Sequence, residues 1–246
     1  MANSFASVGI TGAGGNIGQT LQRALADSYS LKLFDRQSLT PVKSGEAVKV
    51  DFAERSEVNG IFEGLEAIIH LAGDPSPGAP AQSTHRNNFA ATSYVFEEAK
   101  RAGVKKVIFA SSNFYHEAAI GEYLQQKSKR LILLDDNPTP ISLYGQSKVF
   151  GENLGRHLSH FGIQFVGLRI GWTVPEDNPA LYRGAYMRAV FCSQRDLIQA
   201  FSKSLTIEKD FLVAFAVSDN SQAVFDLNQT KKELDFHPQD DAESYF

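Results

Sequence analysis

The sequence predicts an α/β fold: a doubly wound parallel sheet with helices on both faces and a small C-terminal lid. Three observations predict it. Short apolar runs alternate with helical patterns along the chain, the signature of a parallel sheet covered on both sides. The first of those runs, Val8 to Ile10, enters a glycine-rich turn that opens into a helix-like stretch, Gln19 to Ala26. A length of 246 residues suffices for one large domain with ample burial and no metal or disulfide staple.

Taken in order, the apolar runs place strands over 6–11, 30–35, 46–51, 66–72, 105–111, 163–170 and 211–217. The helical periods between them place helices over 16–27, 55–63, 81–102, 144–161, 193–204 and 228–235. Two stretches break the rhythm. Asn113 to Leu143, with Lys127, Lys129 and Arg130 and then a proline-containing acidic run, reads as a long connection, and Val174 to Val190 is a second one. Connections this long in compact domains are commonly functional, so both are expected to rim a cleft. The basic cluster at 127–130 is either a solvated face or a site for a highly charged group.

The turn Thr11-Gly12-Ala13-Gly14-Gly15-Asn16-Ile17-Gly18 follows the first strand. A strand that turns sharply into a helix presents unpaired amides and the positive helix end to a pyrophosphate, and a side chain at any of three points would block the approach. Gly12, Gly15 and Gly18 stand at those points, spaced Gly-x-x-Gly-x-x-Gly. By itself this also suits a plain glycine turn. The second strand, however, ends in Asp35, 17 residues after Gly18. An acid near that distance accepts hydrogen bonds from an adenosine ribose and repels a 2′-phosphate, which favours NAD over NADP. Arg36 beside it is either a solvated charge or a residue that stacks on adenine and admits some NADP. The fold is thus Rossmann-type, with 1–171 the dinucleotide-binding core and 172–246 the lid and last sheet elements of one domain.

Composition narrows the partners. A net charge of −4 with interspersed signs leaves no footprint for nucleic acid or an anionic membrane. No apolar run nears the roughly 20 residues of a membrane span. The single cysteine, Cys192, forms no internal disulfide, and its apolar neighbours suggest a buried small side chain rather than a nucleophile. With no signal-peptide pattern ahead of the first strand, a cytoplasmic location is expected. The scattered histidines offer no metal-ligand cluster.

Candidate chemistry sits farther along. Tyr144 and Lys148 are four apart at the head of a helix, hence on one face. A nearby ammonium is expected to lower the phenol from its usual value of about 10, making Tyr144 a proton acceptor. The strand ending at 111 places Ser111-Ser112-Asn113 at its carboxyl end.

These pieces, together with Val50-Asp51-Phe52, His70-Leu71-Ala72-Gly73, Asn88 within Asn87-Asn88-Phe89, and Leu168-Arg169-Ile170-Gly171, resemble the extended short-chain dehydrogenases/reductases of the NAD-dependent epimerase/dehydratase superfamily over nearly the whole chain. The resemblance implies NAD as cofactor. It implies that Asp51 and Phe52 contact adenine, that Leu71, Ala72 and Gly73 line the nucleotide with Asn88 beside them, that Lys148 also holds the nicotinamide ribose, and that Ser112 and Tyr144 grip the reacting oxygen. Other readings of three residues stay open: Asp51 as a strand-end cap, Asn88 as a structural hydrogen bonder, and His70 as a packed core histidine.

Within that superfamily, Gly73-Asp74-Pro75-Ser76-Pro77, Ser193-Gln194-Arg195-Asp196-Leu197 and Pro238-Gln239-Asp240-Asp241 resemble uronate dehydrogenases and related NAD-dependent sugar-phosphate dehydrogenases. Only 75 residues follow Gly171, room for a monosaccharide more readily than for a second nucleotide. The implied reaction oxidises a sugar (a uronate, sugar phosphate or sulfosugar) at its anomeric carbon to a lactone. Ser76, Ser112 and Asn113 would meet sugar hydroxyls, and Arg183 or Arg188 would hold an anionic group. Two departures bear on the substrate: Phe114 stands where such enzymes usually carry His, and Trp172 where they carry a small hydroxyl residue. A homodimer paired through the helices at 81–102 and 144–161 is implied as well. The alternatives are nucleotide-sugar epimerisation or dehydration, and an NAD-sensing regulator without catalysis.

Overall fold

The computed structural model describes residues 5–41, 43 and 45–246; residues 1–4, 42 and 44 of the expected domain lie outside the described residues. Strands β1 (Ser7–Thr11), β2 (Ser30–Asp35), β3 (Glu46–Lys49), β4 (Ala67–His70), β5 (Lys106–Ser112), β6 (Gln164–Ile170) and β7 (Phe211–Ala216) form one sheet in the order β3-β2-β1-β4-β5-β6-β7. Every neighbouring pair is parallel, so each connection must cross back over a face of the sheet. The helices α1 (Asn16–Leu25), α2 (Arg55–Val58), α3 (Ala81–Thr84), α4 (Ala91–Arg101), α5 (Glu117–Leu124), α6 (Leu143–Ser159), α7 (Ala185–Val190) and α8 (Gln194–Thr206) lie along these returns, and α9 (Asn228–Leu234) follows β7.

Strand burial follows position in the sheet. All seven residues of central β5 are buried, whereas edge strand β3 has none buried. Along β5 the side chains alternate between two cores. Ile108 joins Ile10, Leu33, Ile69, Val166 and Phe201 on one face; Val107 and Phe109 join Phe34, Phe62, Phe96 and Phe165 on the other. On the second face α6 lies so close that a Cβ on Gly151 would come within 2.3 Å of the Phe109 ring. Strand order reverses between β1 and β4, so a crevice opens there beyond the carboxyl ends, where such sheets bind ligands.

The structure revises several expected boundaries. β3 and β4 end at Lys49 and His70 rather than at 51 and 72. The helix expected over 55–63 stops at Val58, because Asn59 is extended and Gly60 has φ +84°. The helix expected over 81–102 is α3 and α4 joined by a wider π-helical turn, His85–Ala90. Asn113 to Leu143 is not a bare connection: a 3₁₀ turn (Asn113–His116) capped by Ser112 leads into α5. The stretch 174–190 likewise holds a 3₁₀ turn (Pro179–Leu181) and α7.

Candidate active site

The glycine turn is shaped by main-chain crowding. Gly12 has φ +67°, and a Cβ on it would lie 2.7 Å from the amide nitrogen of Ala72. Thr11 Oγ1 holds that neighbour in place by accepting from the amides of Leu71 (3.1 Å) and Ala72 (3.2 Å). Gly18 meets the same turn, its notional Cβ lying 2.5 Å from the Ala13 carbonyl oxygen. Gly15 is different: it caps α1 with no side-chain hydrogen bond, and the nearest atom to its notional Cβ is 3.4 Å away. The first amides of α1 are therefore left to a ligand, at the end where the helix dipole favours negative charge.

Other predicted residues gather around this turn. Asp35 closes β2 and accepts from the amides of Gly14 (2.9 Å) and Gln37 (3.0 Å). Asn16 Nδ2 donates to Thr173 Oγ1 at 3.2 Å, tying the turn to the segment beyond β6, and Ile17 packs on the core. Arg36 is exposed, and its charge reaches Asp51. Asp51 accepts from the Ala53 amide (2.9 Å) and pairs with Arg86 (2.9 Å). Burial works against ionisation of Asp51, but the Ala53 amide and the Arg86 guanidinium outweigh it and hold the carboxyl below its usual range. Gly73 follows on the exit of β4, exposed beside Asn88.

Two implied cofactor contacts need correction. The Phe52 ring is 5% exposed and tilts against Phe62 at 6.2 Å in the core, leaving only its main chain for a nucleotide. Asn88 spends its amide on the fold: Oδ1 accepts from the Asp74 amide (2.8 Å), while Nδ2 donates to the Asp74 carbonyl (3.0 Å) and Ser147 Oγ (3.3 Å). It pins the exit of β4 to α6. His70 is a core histidine, fully buried and stacked on Phe109. Because Thr11 Oγ1 already accepts two amides, its proton goes to His70 Nδ1 (2.8 Å), and Nε2–H donates to Thr92 Oγ1 (3.2 Å). Burial, with the Lys148 charge adding to it, pushes this imidazole down to about 3.

The predicted catalytic residues converge at the head of α6. Ser142 caps the helix by accepting from the Gly145 amide (3.1 Å), and Glu117 of α5 collars the same end, accepting from the Ile141 and Ser142 amides (2.9 and 2.8 Å) and from the Ser142 hydroxyl. Nearly three turns farther down, a buried ion pair between Glu152 and Arg169 (2.8 Å), joined by Ser111 Oγ donating to Glu152 (2.6 Å), fixes α6 to β5 and β6. Tyr144 and Lys148 are thereby set against Ser112, whose hydroxyl is near enough to act on the phenol. Lys148 Nζ donates to the Ala110 carbonyl (2.9 Å) and lies 5.1 Å from the centre of the Tyr144 ring.

The expected lowering of the Tyr144 phenol does not hold. Burial raises it above 10, the Ser112 hydroxyl acts in the opposite direction, and the Asp74 carboxylate raises it further. Burial is the physical reason, and the Lys148 nitrogen, directed to the Ala110 carbonyl, is itself pushed down to about 8 by burial.

On the substrate side, Asn113 is buried and donates to the Tyr186 hydroxyl, while Ser112 Oγ donates to Asn113 Oδ1 (3.1 Å). Asn113 is thus tied first to Tyr186. Ser76 is exposed on the loop after β4. Arg183 is exposed, with no ion pair among the described residues. Arg188 is corrected as a candidate clamp: both oxygens of Glu243 accept from its guanidinium at 2.5 Å, and the Phe246 ring lies 3.7 Å from it. The basic cluster is also partly spent, since Arg130 pairs with Asp136 (2.6 Å). Cys192 is fully buried, and burial raises its thiol well above the usual value. Among the described residues no group of three His, Cys, Asp or Glu is placed to hold a metal ion, and no helix is long and apolar enough to cross a membrane.

Residues 8–179 match the NAD dependent epimerase/dehydratase family. The chain belongs to that family. It is 33% identical to an NAD-dependent glucose-6-phosphate dehydrogenase of Haloferax volcanii, over 96% of this chain and 94% of the relative. It is also 33% identical to a uronate dehydrogenase of Pseudomonas syringae pv. tomato, over 96% and 82%. A uronate dehydrogenase from Agrobacterium tumefaciens, solved as a mutant complexed with NAD, superposes with a TM-score of 0.85 at 28% identity, covering 98% of this chain and 87% of that one.

Around this epimerase/dehydratase-family core, sequence reasoning missed a line of aromatic rings. Phe114 stands edge-on to Tyr144 at 5.6 Å and to Tyr186 at 6.3 Å; Trp172 meets Tyr186 at 6.0 Å and Tyr182 at 5.6 Å. The available signal was Tyr182 and Tyr186 falling within one expected rim segment, 174–190, with Trp172 two residues before it. Glu117 and Glu243 were also missed. Nothing local marks them, because their partners lie on distant segments.

Proposed function

We propose that this chain is an NAD-dependent dehydrogenase that oxidises a monosaccharide at its anomeric carbon to a lactone. The observation that carries the reading is the convergence of Ser112 on Tyr144, with Lys148 one helical turn along at 5.1 Å from the ring centre. The cofactor fits the residues present: the open N-terminus of α1 at Gly15 suits a pyrophosphate, with Asn16 and Ile17 in the first turn, and Asp35 beside Gly14 suits an unphosphorylated ribose. Asp51 and the main chain at 52 and 71–73 would complete the adenine side, and Lys148 would hold the nicotinamide ribose. NAD, when bound, supplies the hydride acceptor.

This chain's own residues do the rest. Ser112 orients the sugar hydroxyl toward Tyr144. The Tyr144 phenolate oxygen takes the hydroxyl proton as the hydride leaves the same carbon, so a C=O bond forms in place of C–H and O–H. With burial raising the phenol, the Lys148 ammonium is needed to favour the phenolate. Ser76, Asn113 through Tyr186, and Arg183 face the remaining substituents. Residues 1–171 carry the cofactor and 172–246 the substrate side of one domain. We further propose a cytoplasmic homodimer paired through the helices at 81–102 and 144–161; light scattering giving a monomer mass would remove the dimer.

The test is NADH formation from a panel of neutral aldoses, uronates, sugar phosphates and sulfosugars. Steady accumulation with at least one of them is expected. A folded, NAD-binding sample that oxidises none of them, or that interconverts sugars without accumulating NADH, contradicts the reading.

A further inference from the structure

Trp172 is the only tryptophan of the chain, and it is 40% exposed. Its main chain is held rigidly: its amide donates to the Val190 carbonyl (2.8 Å), its carbonyl accepts from the Cys192 amide (3.1 Å), and it forms a parallel bridge with Phe191. Its indole meets Tyr182 and Tyr186, and through Tyr186 and Phe114 the rings run without a break to Tyr144. A large apolar surface that leads from solvent to a reacting phenol has no role in the core, and aromatic faces bind the C–H faces of sugar rings.

The charges nearby argue against an anion. Arg188 is neutralised by Glu243 and covered by Phe246. Asp74 sits on the exit loop of β4, held by Asn88 and Ser83, and Glu117 sits at the head of α6; both carboxylates act on the tyrosines of the site. Arg183 is the remaining cation of the two expected, and it lies on the exposed rim.

We propose that Trp172 is the stacking platform for the sugar ring, and that the substrate is a neutral pyranose held by its C–H face and its hydroxyls rather than by an arginine clamp on an anionic group. This inference rests on the dehydrogenase reading. Tyr182 and Tyr186 wall the ring, and Tyr186, fixed by Asn113, offers its hydroxyl to a sugar oxygen.

Two measurements on the full chain test it. In the first, kcat and KM are compared for D-glucose, D-glucose 6-phosphate and D-glucuronate in the wild type, Trp172→Ala, Trp172→Phe and Arg183→Ala. Expected are kcat/KM for glucose within about tenfold of the better anionic sugar, a sugar KM raised about tenfold or more in Trp172→Ala with an unchanged KM for NAD, and substantial recovery in Trp172→Phe. An unchanged sugar KM in Trp172→Ala, or an anionic preference beyond tenfold that collapses in Arg183→Ala, overturns the proposal while leaving dehydrogenation intact. In the second, glucose is titrated into NAD-saturated Tyr144→Phe protein while indole emission is followed. A saturable change supports stacking independently of turnover; a flat response overturns it. Failure of every sugar to yield NADH in the wild type would instead strike the dehydrogenase reading itself.

Discussion

The two sides of the crevice are built from different materials. On the β1–β2–β4 side the shape is set by main chain: a Cβ on Gly12 or Gly18 would lie under 3 Å from neighbouring backbone, and the groups left open are the first amides of α1. On the β5–β6 side it is set by side chains drawn from separate segments, Ser112, Tyr144, Lys148, Trp172 and Tyr186, held by Glu117, Asn113 and the Glu152–Arg169 pair. A main-chain site tolerates no added atom at its few glycines. A side-chain site tolerates substitution in its framework yet depends steeply on the single group that moves the proton.

That difference yields ordered expectations. The largest effect falls on the substrate side: Tyr144→Phe should lower kcat by about 10²–10⁴ while NAD affinity, measured by calorimetry, stays within a few-fold. Undiminished turnover would remove Tyr144 as the base. Next comes the main-chain side. Gly12→Ala places a Cβ against the Ala72 backbone at φ +67° and should cost about 1–3 kcal/mol of folding stability, with NAD binding weakened in parallel; a variant of wild-type stability and affinity would break the contrast drawn above. Smaller still, Asp35→Ala should relax the preference for NAD over NADP by about tenfold, on the scale of one charge-assisted hydrogen bond. A variant that rejects NADP as strongly as the wild type would take Asp35 out of the ribose site.

The smallest expected effect is on pH dependence. With the phenol raised by burial, less phenolate is present at a given pH, so kcat/KM for oxidation should rise with pH. Lys148→Met should move that limb to higher pH, by about one unit if the ammonium's help is of ordinary strength. An unmoved limb would mean that Lys148 positions the cofactor only. Folding shows the opposite face of the same burial. Lys148 is depressed from 10.5 to about 8, so between those values the unfolded chain binds more protons than the folded one, and this lysine's contribution to stability increases as pH rises through that window.

The comparison also explains what was legible in the sequence. The central strands were legible because a parallel strand inside the sheet must be apolar on both faces, as Val107-Ile108-Phe109 is. The cofactor side was legible because crowding is written locally in glycine spacing and in an acid at the end of β2. The helix boundaries were less so: the period over 55–63 ran across Gly60, and α5, eight residues long, is held by its capping and packing more than by a strong pattern of its own. Least legible were pairings across the chain. Arg188 reads as a free clamp until Glu243, 55 residues away, occupies it. Asn88 and Asn113 read as ligand contacts until Ser147 and Tyr186 claim them. The lowered phenol was an expectation of charge alone, and burial outweighs it.

The central claim is that hydride leaves the anomeric carbon while Tyr144 takes the hydroxyl proton. A single-turnover reaction with aldose deuterated at C1 tests it most directly. The account predicts deuterium in the reduced nicotinamide, a slowed hydride step, and a product two electrons more oxidised than the sugar. Deuterium retained in an isomerised sugar, with no reduced cofactor released, would contradict it.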